Sequence, residues 1–190
     1  MTTIVVVRKA DTAVIAADSL TTFGTTRLAP AYDRHPEKIT RYGDSFLGVA
    51  GSAAHQLVLE NLLARTPNLD FHGKGPIYDS FRKLHPMLKD EAFLNPKEEE
   101  DDPYESSQMT VMIANPSGIF AVYSMREVFE FDRFWAIGSG RDFALGAMFV
   151  TYDTKSKTAS AVAQAGIHAG AEFDTGTSEP VHLFEVKLRA

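Results

Sequence analysis

Apolar residues run almost unbroken through residues 2–8 and 12–18, with only Lys9-Ala10-Asp11 between them. β-Branched residues dominate both runs, so the pattern predicts two strands joined as a hairpin by a short loop. Neither run alternates with polar residues, which predicts strands covered on both faces. EKITRY and SFLGVAG form a second predicted hairpin across Gly43-Asp44, where a leading glycine suits a type II′ turn. SAAHQLVLENLLAR then sets Leu57, Leu59, Leu62 and Leu63 among polar residues, with Pro67 beyond its end, and reads as an amphipathic helix. Residues 77–94 read as helical again, interrupted by Pro86.

MTVMIA, NPSG and IFAVYS make a third hairpin with a Pro/Gly turn. A short strand, FWAI, is followed by helical patterns in SGRDFALGAMFV and SKTASAVAQAGIHAGAEF, and VHLFEVKL alternates as a closing strand. The order is strands, two helices, strands, two helices, strand, without an internal repeat or linker. The predicted class is therefore α+β, a four-layer αββα sandwich of two mainly antiparallel sheets covered by helices. A chain of 190 residues is expected to form one domain over 1–190.

Charge narrows the partners. With 25 acidic against 19 basic residues and no basic cluster, the chain offers no footprint for nucleic acid. The early apolar run Ile4 to Val7 is too short for a signal peptide or a membrane span, so a soluble, cytoplasmic protein without a membrane partner is expected. Cysteine is absent, which removes disulfides, thiolate metal sites and cysteine nucleophiles and fits a reducing compartment. KEEEDDPYE, residues 97–105, carries six acids and reads most simply as a solvated loop, with an acidic docking or metal loop as the functional alternative.

Candidate chemistry starts at the second residue. A small residue behind the initiator methionine favours methionine removal, which would leave Thr2 with a hydroxyl and a free α-amine, a nucleophile with its own base. A three-residue loop at 9–11 would pair Arg8 with Thr12 and place Thr2 opposite Asp18, with Cβ atoms roughly 4.5 to 5.5 Å apart. A one-residue slip would break that pairing. In the second hairpin, Tyr42 opposite Ser45 carries Lys38 to Val49 and leaves Gly51 diagonal to Lys38. Asp18 and Lys38 are costly beside such apolar strands, and an ion pair between them would offset the burial of either charge.

TTIVVVRK, VIAADS, EKITRY, GVAGSAA and AIGSGRD resemble the successive motifs of the proteasome β-subunit and HslV family of N-terminal nucleophile hydrolases. The resemblance spans nearly the whole chain, and the length and the DSLTTFG stretch are most similar to the small bacterial proteasome homologue branch. It implies that Thr2 is the nucleophile once Met1 has gone, with the α-amine as proton shuttle. Lys38 would favour the alkoxide-like form and lower the pKa of the amine, and Asp18 would orient the lysine. Gly51 would offer its N–H to the oxyanion, and Ser139 would hydrogen-bond the terminal amine. Asp174 matches the family's late aspartate, while Thr177 stands where the family has serine. Ser178-Glu179 replaces the usual glycine pair, and His55 replaces an aspartate. Position matching sets Val49 and Ala53 beside a small apolar specificity pocket, with peptide pairing along an edge near Thr22.

The resemblance implies no cofactor and no metal. It implies a self-compartmentalising threonine peptidase acting on proteins or peptides, assembled as a homo-oligomeric stacked double ring, heptameric rather than hexameric, with an ATP-dependent unfoldase as a candidate partner. The alternative is a ring-forming scaffold or binding subunit of the same fold that is never activated. Other chemistries fit less well. Neither Ser52 nor Ser139 sits in G-x-S-x-G. His35-Pro36-Glu37 lacks the cysteines of a zinc deaminase, and GSGRD has neither Walker nor dinucleotide spacing around it.

Overall fold

In the computed structural model, residues 2–97 and 99–189 are described; Met1, whose removal the sequence suggests, Glu98 of the acidic stretch and Ala190 lie outside them. The two opening apolar runs form β1 (Thr3–Lys9) and β2 (Thr12–Ala17). Their register corrects the expected loop. Lys9 pairs with Thr12 and Ile4 with Ala17, so the turn is the two residues Ala10-Asp11 and every partner moves by one position. Thr3, not Thr2, thus faces Asp18, whose N–H donates to the Thr3 carbonyl at 3.2 Å. Ala10 makes the tight turn by adopting φ 54°, a conformation that a sequence reading assigns to glycine or asparagine rather than alanine.

The doubly apolar strands do face two layers. Ile4, Val6, Ala13, Ile15 and Ala17 fill the space between the two sheets. Val5, Val7, Val14 and Ala16 pack against helices α3 (Arg141–Tyr152) and α4 (Ala159–Phe173). The first sheet has the order β10 (Phe134–Gly138), β1, β2, β11 (His182–Lys187). The second runs β5 (Ile39–Tyr42), β6 (Ser45–Ala50), β7 (Thr110–Asn115), β8 (Gly118–Val122), β9 (Val128–Phe131). Helices α1 (Ala53–Arg65) and α2 (Lys74–Pro86) cover its outer face, burying Leu59, Leu62, Ile77, Phe81 and Leu84. The result is helices, sheet, sheet, helices, with antiparallel pairing throughout both sheets among the described residues.

Several departures from the sequence reading have simple causes. In α1, Leu59, Leu62 and Leu63 occupy one face at i, i+3, i+4, whereas Leu57 falls two residues outside that stripe and is 71% exposed. Pro86 closes α2 at its last position, and the chain continues through one π-helical turn, Met87–Glu91. A hairpin of β3 (Thr21–Phe23) and β4 (Thr26–Leu28) carries too few apolar residues to show a period. β9 is likewise short and half exposed.

Among the described residues, the acidic stretch has neither helix nor strand and is tied down at Glu105. One Glu105 carboxylate oxygen lies 3.0 Å from His85 Nε2, Lys89 Nζ holds the other, and Arg126 donates to the Glu105 carbonyl at 2.8 Å. No helix among the described residues is long and apolar enough to cross a membrane, and no group of three or more His, Cys, Asp or Glu is placed to hold a metal ion.

Candidate active site

The site lies at one end of both sheets, where β1 begins, β2 ends and β5 begins. Thr2 precedes β1 on the side that faces the second sheet, continuing the row of Ile4 and Val6. Its hydroxyl donates to Asp18 Oδ1 at 2.7 Å and accepts from Lys38 Nζ at 2.8 Å. Lys38 also donates to Asp18 Oδ1 at 2.8 Å and to the Leu20 carbonyl at 2.6 Å, so all three of its N–H bonds are used. Thr2, Asp18 and Lys38 are 5%, 0% and 8% exposed, which makes this triad a buried charged network rather than a surface ion pair.

Asp18 reaches Thr2 despite the shifted register because it lies one residue past the end of β2, outside the regular strand. Its carboxylate is saturated. Oδ1 also accepts from the Thr3 N–H at 2.9 Å, while Oδ2 accepts from the N–H groups of Leu20 at 3.0 Å and Ser178 at 3.2 Å. Ser178 returns its carbonyl to the Ser19 N–H at 3.0 Å. The segment that lacks the expected glycine pair therefore still meets Asp18, through backbone groups that serine presents equally well. Burial pushes the Lys38 ammonium below the ordinary lysine value, with the Asp18 charge and hydrogen bond opposing it.

A second cluster stands behind Thr2. The Ser139 N–H donates to the Thr2 carbonyl at 2.8 Å, and Ser139 Oγ lies 3.4 Å from that oxygen. The hydroxyls of Ser139 and Thr177 both donate to Asp174 Oδ2, at 2.7 and 2.6 Å. Burial pushes the Asp174 carboxyl up, but these two donors and the Gly176 N–H outweigh it and hold the group below its ordinary value. The GSG turn needs both glycines. A Cβ on Gly138, at φ 94°, would sit 2.0 Å from the Thr2 carbonyl oxygen, and one on Gly140 would sit 2.2 Å from Thr3 Oγ1.

Thr2 opens on a pocket of about 280 Å³ walled by Thr21, Thr22, Val49, Gly51, Ala53 and Gln56. Val49, Ala53 and Thr22 thus share one cavity with Thr2 and Gly51. The cavity departs from the small apolar pocket that was expected. Thr21, Thr22, Ser52 and Gln56 line it with polar groups, and Thr21, Phe23, Lys38, Ala53 and Gln56 are shared with a neighbouring pocket of about 600 Å³ that extends past Asp33 and Glu37.

His55 acquires a structural role here. Ser52 caps α1 by accepting from the Ala54 N–H at 3.4 Å, and His55 Nδ1 accepts from the Ser52 N–H at 3.1 Å, a capping box with histidine in the acceptor place. Burial lowers the His55 pKa, which keeps its ring neutral and able to accept. A Cβ on Gly51 would lie 2.7 Å from His55 Nδ1, so the capping contact itself requires glycine at 51. Leu20, Thr21, Ser52, Gln56 and Ser178 were missed in the sequence; most serve through backbone groups or as pocket walls, which leave no mark on residue type. His55 had a signal, its position three residues after Ser52.

The model of the proteasome subunit family matches residues 1–186. Among solved structures, Thiobacillus denitrificans BPH in complex with epoxomicin is 39% identical, with a TM-score of 0.93 over 99% of this chain and 100% of that one. The same protein without that compound matches at the same identity and TM-score over 98% of each chain. HslV from Trypanosoma brucei shares the fold at 21% identity and a TM-score of 0.72, over 97% of this chain and 99% of its own. No match was found among curated proteins.

Proposed function

The chain belongs to the proteasome subunit family, and on that premise we propose that it is an N-terminal threonine peptidase in which Thr2, exposed by removal of Met1, attacks the peptide carbonyl. One observation carries the reading: the Thr2 hydroxyl is held between the Lys38 ammonium at 2.8 Å and the Asp18 carboxylate at 2.7 Å. A scaffold has no need of a buried lysine aimed at a hydroxyl. The complex of the T. denitrificans relative with epoxomicin supports the same assignment.

In the proposed reaction the α-amine of Thr2 takes the hydroxyl proton as Oγ1 bonds to the scissile carbonyl carbon. A free α-amine titrates at roughly 7.7 to 8.0, and the adjacent Lys38 charge lowers that value, so the neutral base is available near pH 7. Lys38 stabilises the developing alkoxide, and the Gly51 N–H at the pocket wall receives the oxyanion. Collapse breaks the C–N bond, with the proton passing from the ammonium to the leaving amine, and water then hydrolyses the Thr2 ester. Asp174 draws the hydroxyl proton of Ser139 toward itself, leaving Ser139 lone pairs to accept from the new terminal amine.

We extend the proposal to a single proteasome-type domain that assembles into stacked homo-oligomeric rings, heptameric in preference to hexameric, in a bacterial cytoplasm, fed by an ATP-dependent unfoldase. The outer faces of α3 and α4 support assembly, since Phe149, Val150 and Phe173 are 70%, 73% and 67% exposed. Hydrolysis of fluorogenic peptides by processed protein tests the reading. The parent should turn over substrate and Thr2→Ala should be inert yet assembled by light scattering. An inert parent that lacks Met1 would leave the scaffold reading in its place, and equal turnover in both proteins would refute Thr2 as the nucleophile.

A further inference from the structure

Two threonines stand at the start of the chain, and the chemistry above uses one. We propose that the second, Thr3, is a positioning residue whose hydroxyl orients Thr177 and, through Asp174 and Ser139, fixes the peptide unit of the nucleophile. The inference rests on the reading of Thr2 as nucleophile.

Thr3 is fully buried and points away from Thr2, toward α4. Its Oγ1 lies 2.6 Å from Thr177 Oγ1, the partner of that hydroxyl among the described residues. Proton counting sets the direction. A hydroxyl has one proton, and Thr177 gives its own to Asp174 Oδ2 at 2.6 Å, as Ser139 does at 2.7 Å. Thr177 Oγ1 is then left with lone pairs only, so Thr3 must be the donor between the two threonines. The protons of Thr3, Thr177 and Ser139 therefore all run toward one carboxylate, and such aligned bonds strengthen one another.

The surroundings are shaped for this hydroxyl. A Cβ on Gly140 would sit 2.2 Å from Thr3 Oγ1 and one on Gly170 would sit 3.0 Å from it, so two glycines clear its space. Gly140 directly follows Ser139, whose N–H holds the Thr2 carbonyl at 2.8 Å. Thr3 thus touches the turn that grips Thr2 as well as the hydroxyl relay behind it. A methyl in place of the hydroxyl would free Thr177 to rotate, loosen Asp174 and let Ser139 drift.

The test compares Thr3→Val, which keeps the shape, with Thr3→Ser, which keeps the hydroxyl. Val should lower kcat about tenfold with KM and thermal midpoint little changed, and Ser should restore most of it. If Val prevents folding, the Ser and Ala pair reads the same hydroxyl without added bulk. A kcat within twofold of the parent for Val, or equal losses in Ser and Val, would overturn the role. On the inert Thr2→Ala background, Thr3→Val should also start acid unfolding at higher pH than Thr3→Ser, since Thr177, released from Thr3, holds the Asp174 carboxyl low less firmly; identical acid curves there would overturn it without reference to activity. Activity surviving in Thr2→Ala would instead refute the nucleophile assignment.

Discussion

The two charges beside Thr2 are expected to fail unequally. Asp18 accepts from Thr2 Oγ1, the Thr3 N–H and Lys38 Nζ on one oxygen and from the Leu20 and Ser178 N–H groups on the other. The substitution Asp18→Asn is nearly isosteric but turns one oxygen into a donor. Whichever way the amide lies, at least two buried donors then face an NH2 group, and the Lys38 charge loses its counterion. Each unsatisfied buried group costs about 1–3 kcal/mol, so Asp18→Asn should cost roughly 3–5 kcal/mol. Lys38→Met leaves the carboxylate with its remaining donors and relieves the burial that already disfavours the ammonium. The losses are one partner of the Leu20 carbonyl, worth about 1–2 kcal/mol, and the counterion of a carboxylate that still accepts from Thr2 Oγ1 and from the Thr3, Leu20 and Ser178 N–H groups. Urea unfolding at fixed protein concentration, with unchanged slope, reads the difference as a shift in midpoint. A Lys38→Met midpoint as low as that of Asp18→Asn would refute the accounting.

Activity should rank the other way for its cost in stability: Lys38→Met should lower the chemical step by about 3 kcal/mol, more than a hundredfold, in single-turnover peptide cleavage with assembly intact. Gly140→Ala places a methyl 2.2 Å from Thr3 Oγ1 and should cost about 1–3 kcal/mol of stability, measured by thermal unfolding, while displacing Ser139. Because the Asp174 carboxyl is held below its ordinary 3.8, its stabilisation is complete above that pH and is lost as pH falls through the lowered value. The stability gap between parent and Asp174→Asn should accordingly be constant above that point and close below it in acid titrations.

The layered fold was legible because its cause is written in residue type. Val5 and Val14 face helices while Ile4 and Ile15 face the other sheet, and a strand apolar at every position must be shielded from water on both sides. The hairpin at Gly43 was readable to the residue, since glycine marks its turn at φ 59°. The first hairpin was not, because Ala10 makes the same kind of turn without a signal, and the resulting slip moved Asp18 opposite Thr3. Contact with Thr2 arises instead from the place of Asp18 just past the end of β2, outside the regular strand, which no strand pattern encodes. The β3 and β4 hairpin and the polar reach of the pocket were hidden for a related reason. Thr21, Ser52 and Gln56 become walls only when elements distant in sequence meet. Ser139, Asp174 and Thr177 were suggested by resemblance alone, and their convergence on one carboxylate oxygen is a tertiary fact.

The central claim is that Thr2 acts as a chain terminus, with hydroxyl and amine on the same residue. Mass spectrometry of active protein treated with a peptide epoxyketone, first intact and then as the isolated N-terminal fragment, tests it most directly. The account predicts a chain beginning at Thr2 that carries one adduct, bonded through both its oxygen and its nitrogen. Full peptidase activity in chains that retain Met1, or an adduct on Ser139 in place of Thr2, would contradict it.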